Sequence, residues 1–326
     1  MSNRVLCLRP EADFLRVGVR PPATLAVRYA APNDPALAGL MKAADALVIP
    51  AVGPRLAAAL FEGAAIRLVQ VTGAGLDRLD EVEMRRLGIP VANVPGGSNE
   101  AVAEYVIAAT LILLRRLAFA HREIGRGRYA KVRAAMLAEV PSGLTGLTVG
   151  VIGLGSIGFA VAAALAGLGA RIVYFDPKPR DPHLAARSGF ACVPLPQLLE
   201  TADVITLHTP LLAQTRGLIG SAELARMKRG AVLINAARGG IVDERALAEA
   251  LREGRLGGAA VDVYETEPPP EHHPLLKLDG PAADRLLLTP HIAGVTRQAS
   301  AKLFRAAWDN VERVLIAGQP PLHRAF

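Results

Sequence analysis

Short runs of apolar residues recur along the chain, separated by segments whose apolar positions fall three and four apart. In the first hundred residues the runs Val5–Leu8, Ala46–Ile49, Leu68–Val71 and Val91–Val94 read as buried strands. Val149–Ile152, Arg171–Phe175, Val204–Leu207, Val232–Asn235, Ala259–Val263 and Leu287–Thr289 follow later. Between them, Ser156–Leu168, Ser221–Met227 and Asp243–Arg252 carry helical spacing. Strands that are apolar on successive residues are covered on both faces, so the alternation predicts α/β architecture: parallel sheets with helices on both sides. A long apolar helix is expected from Asn99, where Ser98-Asn99-Glu100 offers capping side chains, to about Ala120. The pattern divides into two α/β domains, 1–98 with 291–326 and 99–290, hinged near residues 98 and 290.

The stretch Pro141 to Ala170 contains no charged residue and by length alone could span a bilayer. Glycines at 150, 153, 155 and 158 suit a buried strand, a turn and a buried helix instead, so no membrane partner is expected. With 326 residues, 51% of them hydrophobic, the chain can bury two cores. Cys7 and Cys192 stand far apart in apolar surroundings, and the N-terminus lacks an apolar secretory segment. Both point to a soluble protein of a reducing, cytoplasmic compartment. The formal charge of +7 raises nucleic acid as a partner. The densest basic run, HREIGRGRYAKVR at 121–133, carries no nucleic-acid-binding signature and reads as solvated surface or as attraction for anionic metabolites.

Candidate chemistry begins with GVIGLGSIG at 150–158, a strand running into GxGxxG. Gly153 permits the tight turn, Gly155 admits a pyrophosphate to the backbone, and Gly158 lets the helix pack closely on the strand. The N–H groups of Ser156 and Ile157 then face phosphates at a helix N-terminus. The next strand ends at Asp176, about twenty residues on, where a carboxylate accepts the adenosine ribose hydroxyls. That acid favours NAD over NADP; Lys178 and Arg180 nearby pull the other way.

Three later strands end in unusual polar residues: Arg238 before two glycines, Asp262 leading into VYETEPPPEHHP at 263–274, and His291 in TPHIAG. The dense cluster of three glutamates and two histidines first suggests a metal site, yet no His, Cys and carboxylate set has ligand spacing, and no metal is expected. Each residue taken singly is ordinary. Together, downstream of a dinucleotide turn, they suit hydride transfer to a 2-keto acid, which needs a cation for the carboxylate, a general acid, and a group tuning that acid.

These residues carry a resemblance that covers almost the whole chain. VTGAGLDRLD (71–80), NVPGGSNEAVAE (93–104), GVIGLGSIG, MKRGAVLINAARGGIVDERAL (227–247), GAAVDVYETEP (258–268) and TPHIAG (289–294) occur in one order. The chain resembles the D-isomer-specific 2-hydroxyacid dehydrogenase family, which includes phosphoglycerate, glyoxylate/hydroxypyruvate and D-lactate dehydrogenases. The resemblance implies two Rossmann-like domains with doubly wound parallel sheets, the smaller substrate domain flavodoxin-like and the larger binding NAD. It implies Arg238 on the substrate carboxylate and carbonyl, His291 as acid/base, and Glu267 stabilising the His291 imidazolium. Asp262 would contact the nicotinamide carboxamide, and backbone amides at Thr72, Gly73, Ala74 and Gly75 the substrate carboxylate, with Asn99 also on the substrate side. His208, Thr209, Pro210 and Thr215 would line the adenosine side. Ala236, Ala237, Ala293 and Gly294 complete the implied cofactor set, and a homodimer is implied as well.

Three departures bear on substrate. Tyr129 stands where the family often has Trp, Pro50-Ala51 where phosphoglycerate dehydrogenases carry Arg-Ser, and Ala74 where phosphite dehydrogenases carry lysine. They favour a small unphosphorylated acid such as glyoxylate or hydroxypyruvate. The chain also ends soon after its last expected helix, where no regulatory domain is expected. Phosphoglycerate dehydrogenase activity and a non-enzymatic NAD(H)-sensing, corepressor-like role are the alternatives.

Overall fold

The structure is a computed structural model that describes residues 3–178 and 182–326. Arg180, invoked above for NADP, lies outside the described residues. The chain separates into two compact units, Met1–Ser98 with Val295–Phe326, and Asn99–Gly294.

In the first unit β1 (Arg4–Cys7), β2 (Ala26–Tyr29), β3 (Ala46–Ile49), β4 (Val69–Val71) and β5 (Val91–Ala92) form one parallel sheet. Its order, β2-β1-β3-β4-β5, is the flavodoxin-like one. Apart from the exposed Arg4 that opens β1, the inner strands are buried and match the apolar runs. β2 was not expected: as an edge strand it alternates exposed and half-buried residues over AVRY, a weak pattern in so short a run. The helix Arg297–Leu315, capped by the Thr296 hydroxyl on Ala299 N–H, buries Phe304, Trp308 and Val311 in this unit's core. Each such side chain contributes about 1.5–3 kcal/mol. The tail then pairs with β5 through Ala325 N–H to Val91 O at 2.8 Å.

In the second unit β6 (Thr148–Ile152), β7 (Arg171–Phe175), β8 (Ala191–Cys192), β9 (Val204–Leu207), β10 (Val232–Asn235), β11 (Gly258–Val261) and β12 (Leu286–Leu288) form a second parallel sheet. Its order is β12-β11-β10-β9-β6-β7-β8. The order reverses between β6 and β9, and the loops leaving their carboxyl ends flank the switch point where open α/β sheets bind ligands. β8, two exposed residues, left no pattern to read. β11 ends at Val261, so Asp262 is the first residue beyond the strand.

Two expectations are corrected. The long helix stops at Leu114, because Arg116 turns left-handed at φ 51°, and Leu117–Gly125 starts a new helix. Its apolar residues Val102, Val106, Ala109 and Leu113 pack with Val149, Val151, Val161 and Leu165 in the second unit's own core. The later boundary falls after Gly294 and not after Pro290. Backbone N–H groups of His291, Ile292 and Ala293 all bond to Asp262, which ties them to the second sheet. The basic run lies on the helices Leu117–Gly125 and Tyr129–Glu139, where Glu123 accepts hydrogen bonds from Arg126 (2.7 Å) and Arg128 (2.8 Å). Both cysteines are free. Among the described residues no helix is long and apolar enough to cross a membrane.

Candidate active site

The glycine turn opens between β6 and the helix Ser156–Gly167. Gly153 has φ +90°, and a Cβ there would stand 2.7 Å from the His208 carbonyl oxygen. A Cβ on Gly158 would overlap the Gly153 carbonyl. Gly155, the N-cap, has nothing within 4 Å of its Cβ position, and no side chain caps the helix. The first amides, including those of Ser156 and Ile157, stand at the positive end of the helix without a side-chain cap, where such groups can bind an anion. Asp176, just past β7, is held at this turn: its Oδ2 accepts Leu154 N–H and its Oδ1 accepts Lys178 N–H, each at 2.8 Å. Cradle and carboxylate fit a dinucleotide.

Beyond β9 come His208, Thr209 and Pro210. Packing around the His208 ring pushes its pKa down to about 3, so it stays neutral and bonds the Thr206 hydroxyl through Nε2 at 2.9 Å. The Thr215 hydroxyl accepts Leu212 N–H at 2.7 Å and donates to Pro210 O at 2.6 Å, closing this loop on itself.

Beyond β10 the Asn235 side chain folds the following turn, donating to Arg238 O at 3.0 Å and accepting Ala237 N–H at 3.2 Å. Ala236 and Ala237 lie in that turn. The Arg238 guanidinium donates to Ala237 O at 2.7 Å. Gly239 cannot be replaced, because a Cβ would overlap the Tyr264 backbone.

Glu267 and His291, 24 residues apart, are brought together from the ends of β11 and β12. The His291 Nδ1 lies 2.9 and 3.1 Å from the two Glu267 carboxylate oxygens. A carboxylate only accepts, so Nδ1 carries the proton. Among the described residues all hydrogen bonds of this ring go through Nδ1, which leaves Nε2 as the nitrogen able to serve a substrate oxygen. Glu267 is itself aimed by Tyr264 N–H at 3.1 Å. His291 has φ +55°, a left-handed conformation that a β-substituted residue adopts only when held.

The cluster VYETEPPPEHHP separates into different tasks. His273, buried, pairs through Nε2 with Glu244 at 2.6 Å, and the other Glu244 oxygen accepts Glu265 N–H at 2.9 Å. Glu265 forms an exposed ion pair with Arg216. Among the described residues no group of three His, Cys, Asp or Glu side chains could hold a metal. Glu244 was missed as a site-supporting residue; it stands 29 positions before its histidine, and only the fold joins them.

The remaining expected residues are each held within their own unit. Gly73, Ala74 and Gly75 follow β4 in the first unit, where Gly73 O accepts Val94 N–H (2.9 Å) and Ala74 O accepts the Asn93 amide (2.8 Å). Asn99, which begins the second unit, donates to Ser156 O at 3.2 Å while its buried Oδ1 has no hydrogen-bond partner among the described residues.

Residues 107–293 match the family described as D-isomer specific 2-hydroxyacid dehydrogenase, NAD binding domain. A glyoxylate reductase of Korarchaeum cryptofilum is 36% identical over 314 residues, 95% of this chain and 92% of that one. Among solved structures, a D-2-hydroxyisocaproate dehydrogenase superposes with TM-score 0.81 at 27% identity, covering 97% of this chain and 98% of that one. The NAD-dependent formate dehydrogenase of Staphylococcus aureus in complex with NAD gives 0.79 at 28%, covering 96% of each. The match extends over the glycine turn, Asp176, Arg238, Glu267 and His291 in one stretch. The chain belongs to the D-isomer specific 2-hydroxyacid dehydrogenase family and is an NAD-dependent oxidoreductase of 2-hydroxy acids.

Proposed function

We propose that the protein interconverts a small 2-keto acid of the glyoxylate or hydroxypyruvate type and its D-2-hydroxy acid, with His291 as the acid/base. The observation that carries this reading is the His291–Glu267 pair, with Nδ1 held on the carboxylate at 2.9 Å and Nε2 left for the substrate. NAD, when bound, supplies or removes the hydride. In reduction, negative charge builds on the carbonyl oxygen; the His291 Nε2–H neutralises it by proton transfer, and Arg238 stabilises it while holding the carboxylate. In oxidation the neutral ring takes the hydroxyl proton at Nε2. Glu267 fixes the tautomer and stabilises the imidazolium.

Gly153, Gly155, Ser156, Ile157, Gly158 and Asp176 are assigned to the pyrophosphate and adenosine ribose. His208, Thr209, Pro210 and Thr215 are assigned to the adenosine side, and Ala236, Ala237, Ala293 and Gly294 to the nicotinamide side. Gly73, Ala74, Gly75 and Asn99 are assigned to substrate on the family resemblance. A cytoplasmic homodimer belongs to the same proposal. Exposed Leu117, Ile124, Leu137 and Val140 would be covered by a second copy, which sedimentation in dilute solution tests.

The Korarchaeum relative is named for glyoxylate, and Pro50-Ala51 replaces the Arg-Ser pair of phosphoglycerate enzymes. Following NADH absorbance with glyoxylate, hydroxypyruvate, pyruvate and 3-phosphohydroxypyruvate tests the reading. Highest kcat/KM is expected with one of the first two. Preference for the phosphorylated acid overturns the substrate, and NADH binding without any turnover overturns the enzyme.

A further inference from the structure

His291 is held in a left-handed turn, and the restraint can be traced outward residue by residue. The Asp262 carbonyl accepts His291 N–H at 2.7 Å. Its carboxylate accepts Ile292 N–H through Oδ1 and Ala293 N–H through Oδ2, each at 2.8 Å. Asp262 thus takes up three successive amides of one turn. It is only 1% exposed, so its charge depends on hydrogen bonds from the protein.

A third donor reaches the same carboxylate. The Thr289 hydroxyl lies 2.6 Å from Asp262 Oδ1 and 2.7 Å from the Tyr105 hydroxyl. A hydroxyl has one hydrogen, and Asp262 as a carboxylate can only accept. Thr289 therefore donates to Asp262, and Tyr105 donates to Thr289. Burial pushes the Tyr105 phenol up to about 12, which keeps that proton in place throughout the working range. The Thr289 backbone is anchored separately, by its N–H on Val261 O at 3.1 Å and by the Tyr264 hydroxyl on its carbonyl at 3.1 Å. The threonine hydroxyl is thus not needed to hold the strand end.

We infer that Tyr105, Thr289 and Asp262 form a hydrogen-bond relay from the helix Asn99–Leu114 to the 291–293 turn, and that Tyr105 and Thr289 are positioning residues which aim His291 at its substrate. Each donor polarises the next, so the relay strengthens the grip of Asp262 on the turn amides. The inference rests on His291 being the acid/base. The two Asp262 oxygens already accept three protein hydrogen bonds, and a carboxylate has about four acceptor positions, so the turn duty stands beside the expected contact to the nicotinamide carboxamide.

Thr289→Val removes the hydroxyl at nearly constant volume. With NADH and the preferred 2-keto acid, kcat is expected to fall about tenfold while KM changes little, because misplaced catalytic groups cost rate more than binding. The pH profile and the NMR titration of the His291 ring should both move, and Thr289→Ser should restore them. Tyr105→Phe, which spares Asp262, should give a smaller loss of the same kind. The double variant should lose no more than Thr289→Val alone, as expected of groups acting in series. Wild-type kcat, pH profile and His291 titration in both single variants overturn the relay, as does multiplication of their losses in the double variant. If Thr289→Val fails to fold, Tyr105→Phe and Thr289→Ser decide alone. Full turnover by His291→Ala would instead remove the acid/base reading, and the His291 titration and the Ile292 and Ala293 amide shifts would still report on the relay.

Discussion

Two histidine–glutamate pairs stand in the second unit, on loops that meet around the same glutamate-rich stretch. His273 with Glu244 is the closer pair, at 2.6 Å, and its side chains are 6% and 12% exposed. His291 with Glu267 is longer, at 2.9 Å, and its side chains are 25% and 29% exposed. The chemistry of the partners is the same, and their surroundings separate the roles. The buried pair spends both ends on protein: Glu244 also takes Glu265 N–H, and the His273 Nδ1 accepts Leu275 N–H at 3.4 Å. It braces the loop that carries Glu267. The exposed pair uses only one ring nitrogen and leaves the other for a reacting molecule. A histidine becomes a candidate catalyst through an unspent nitrogen that solvent can reach, more than through the strength of its partner.

Substitutions can break this comparison. His291→Ala should lower turnover by about 10²–10⁴-fold while NADH still binds, measured by steady-state kinetics and fluorescence titration. Near-native turnover would dismiss His291 as the acid/base. His273→Ala should do the reverse, lowering stability by about 3 kcal/mol in denaturant unfolding while the folded fraction keeps most of its kcat, since it leaves Glu244 buried and unpaired. Glu267→Gln should reduce kcat and move the pH profile of reduction to lower pH, because the imidazolium loses its carboxylate. Glu244→Gln should leave that profile in place, and an equal displacement by both variants would erase the distinction.

A third histidine bears on stability through pH alone. His208 is held neutral with its pKa near 3, below the ordinary value of 6.5. Below about pH 6.5 the unfolded chain takes up a proton that the folded chain refuses. Stability therefore falls as pH drops from there toward 3, by up to about 1.4 kcal/mol per unit from this group. His208→Gln should flatten that slope in unfolding curves recorded between pH 6.5 and 4. An unchanged slope would place the acid sensitivity elsewhere.

Much of this was legible in the order of residues. The inner strands of both sheets are apolar on consecutive positions, and a run buried on both faces announces itself. The edge strands β2 and β8 did not, since one alternates weakly and the other has two exposed residues. The glycine turn was readable because its constraints are local: a positive φ at 153 and a close approach at 158 exclude side chains whatever lies elsewhere. The break at Arg116 was unreadable, because a left-handed arginine within an apolar helical pattern carries no signal of its own.

The same division runs through the site. By itself the sequence determined two α/β units, a dinucleotide turn with its acid, and three strand ends bearing Arg238, Asp262 and His291, because periodicity and backbone sterics act within a few residues. Only the tertiary structure decided that His273 joins Glu244, that Asp262 gathers the amides of residues 291–293, and that Tyr105 reaches Thr289 across 184 positions. Hydrogen bonds are set by distance in space, and parallel sheets bring strand ends together that the chain keeps far apart.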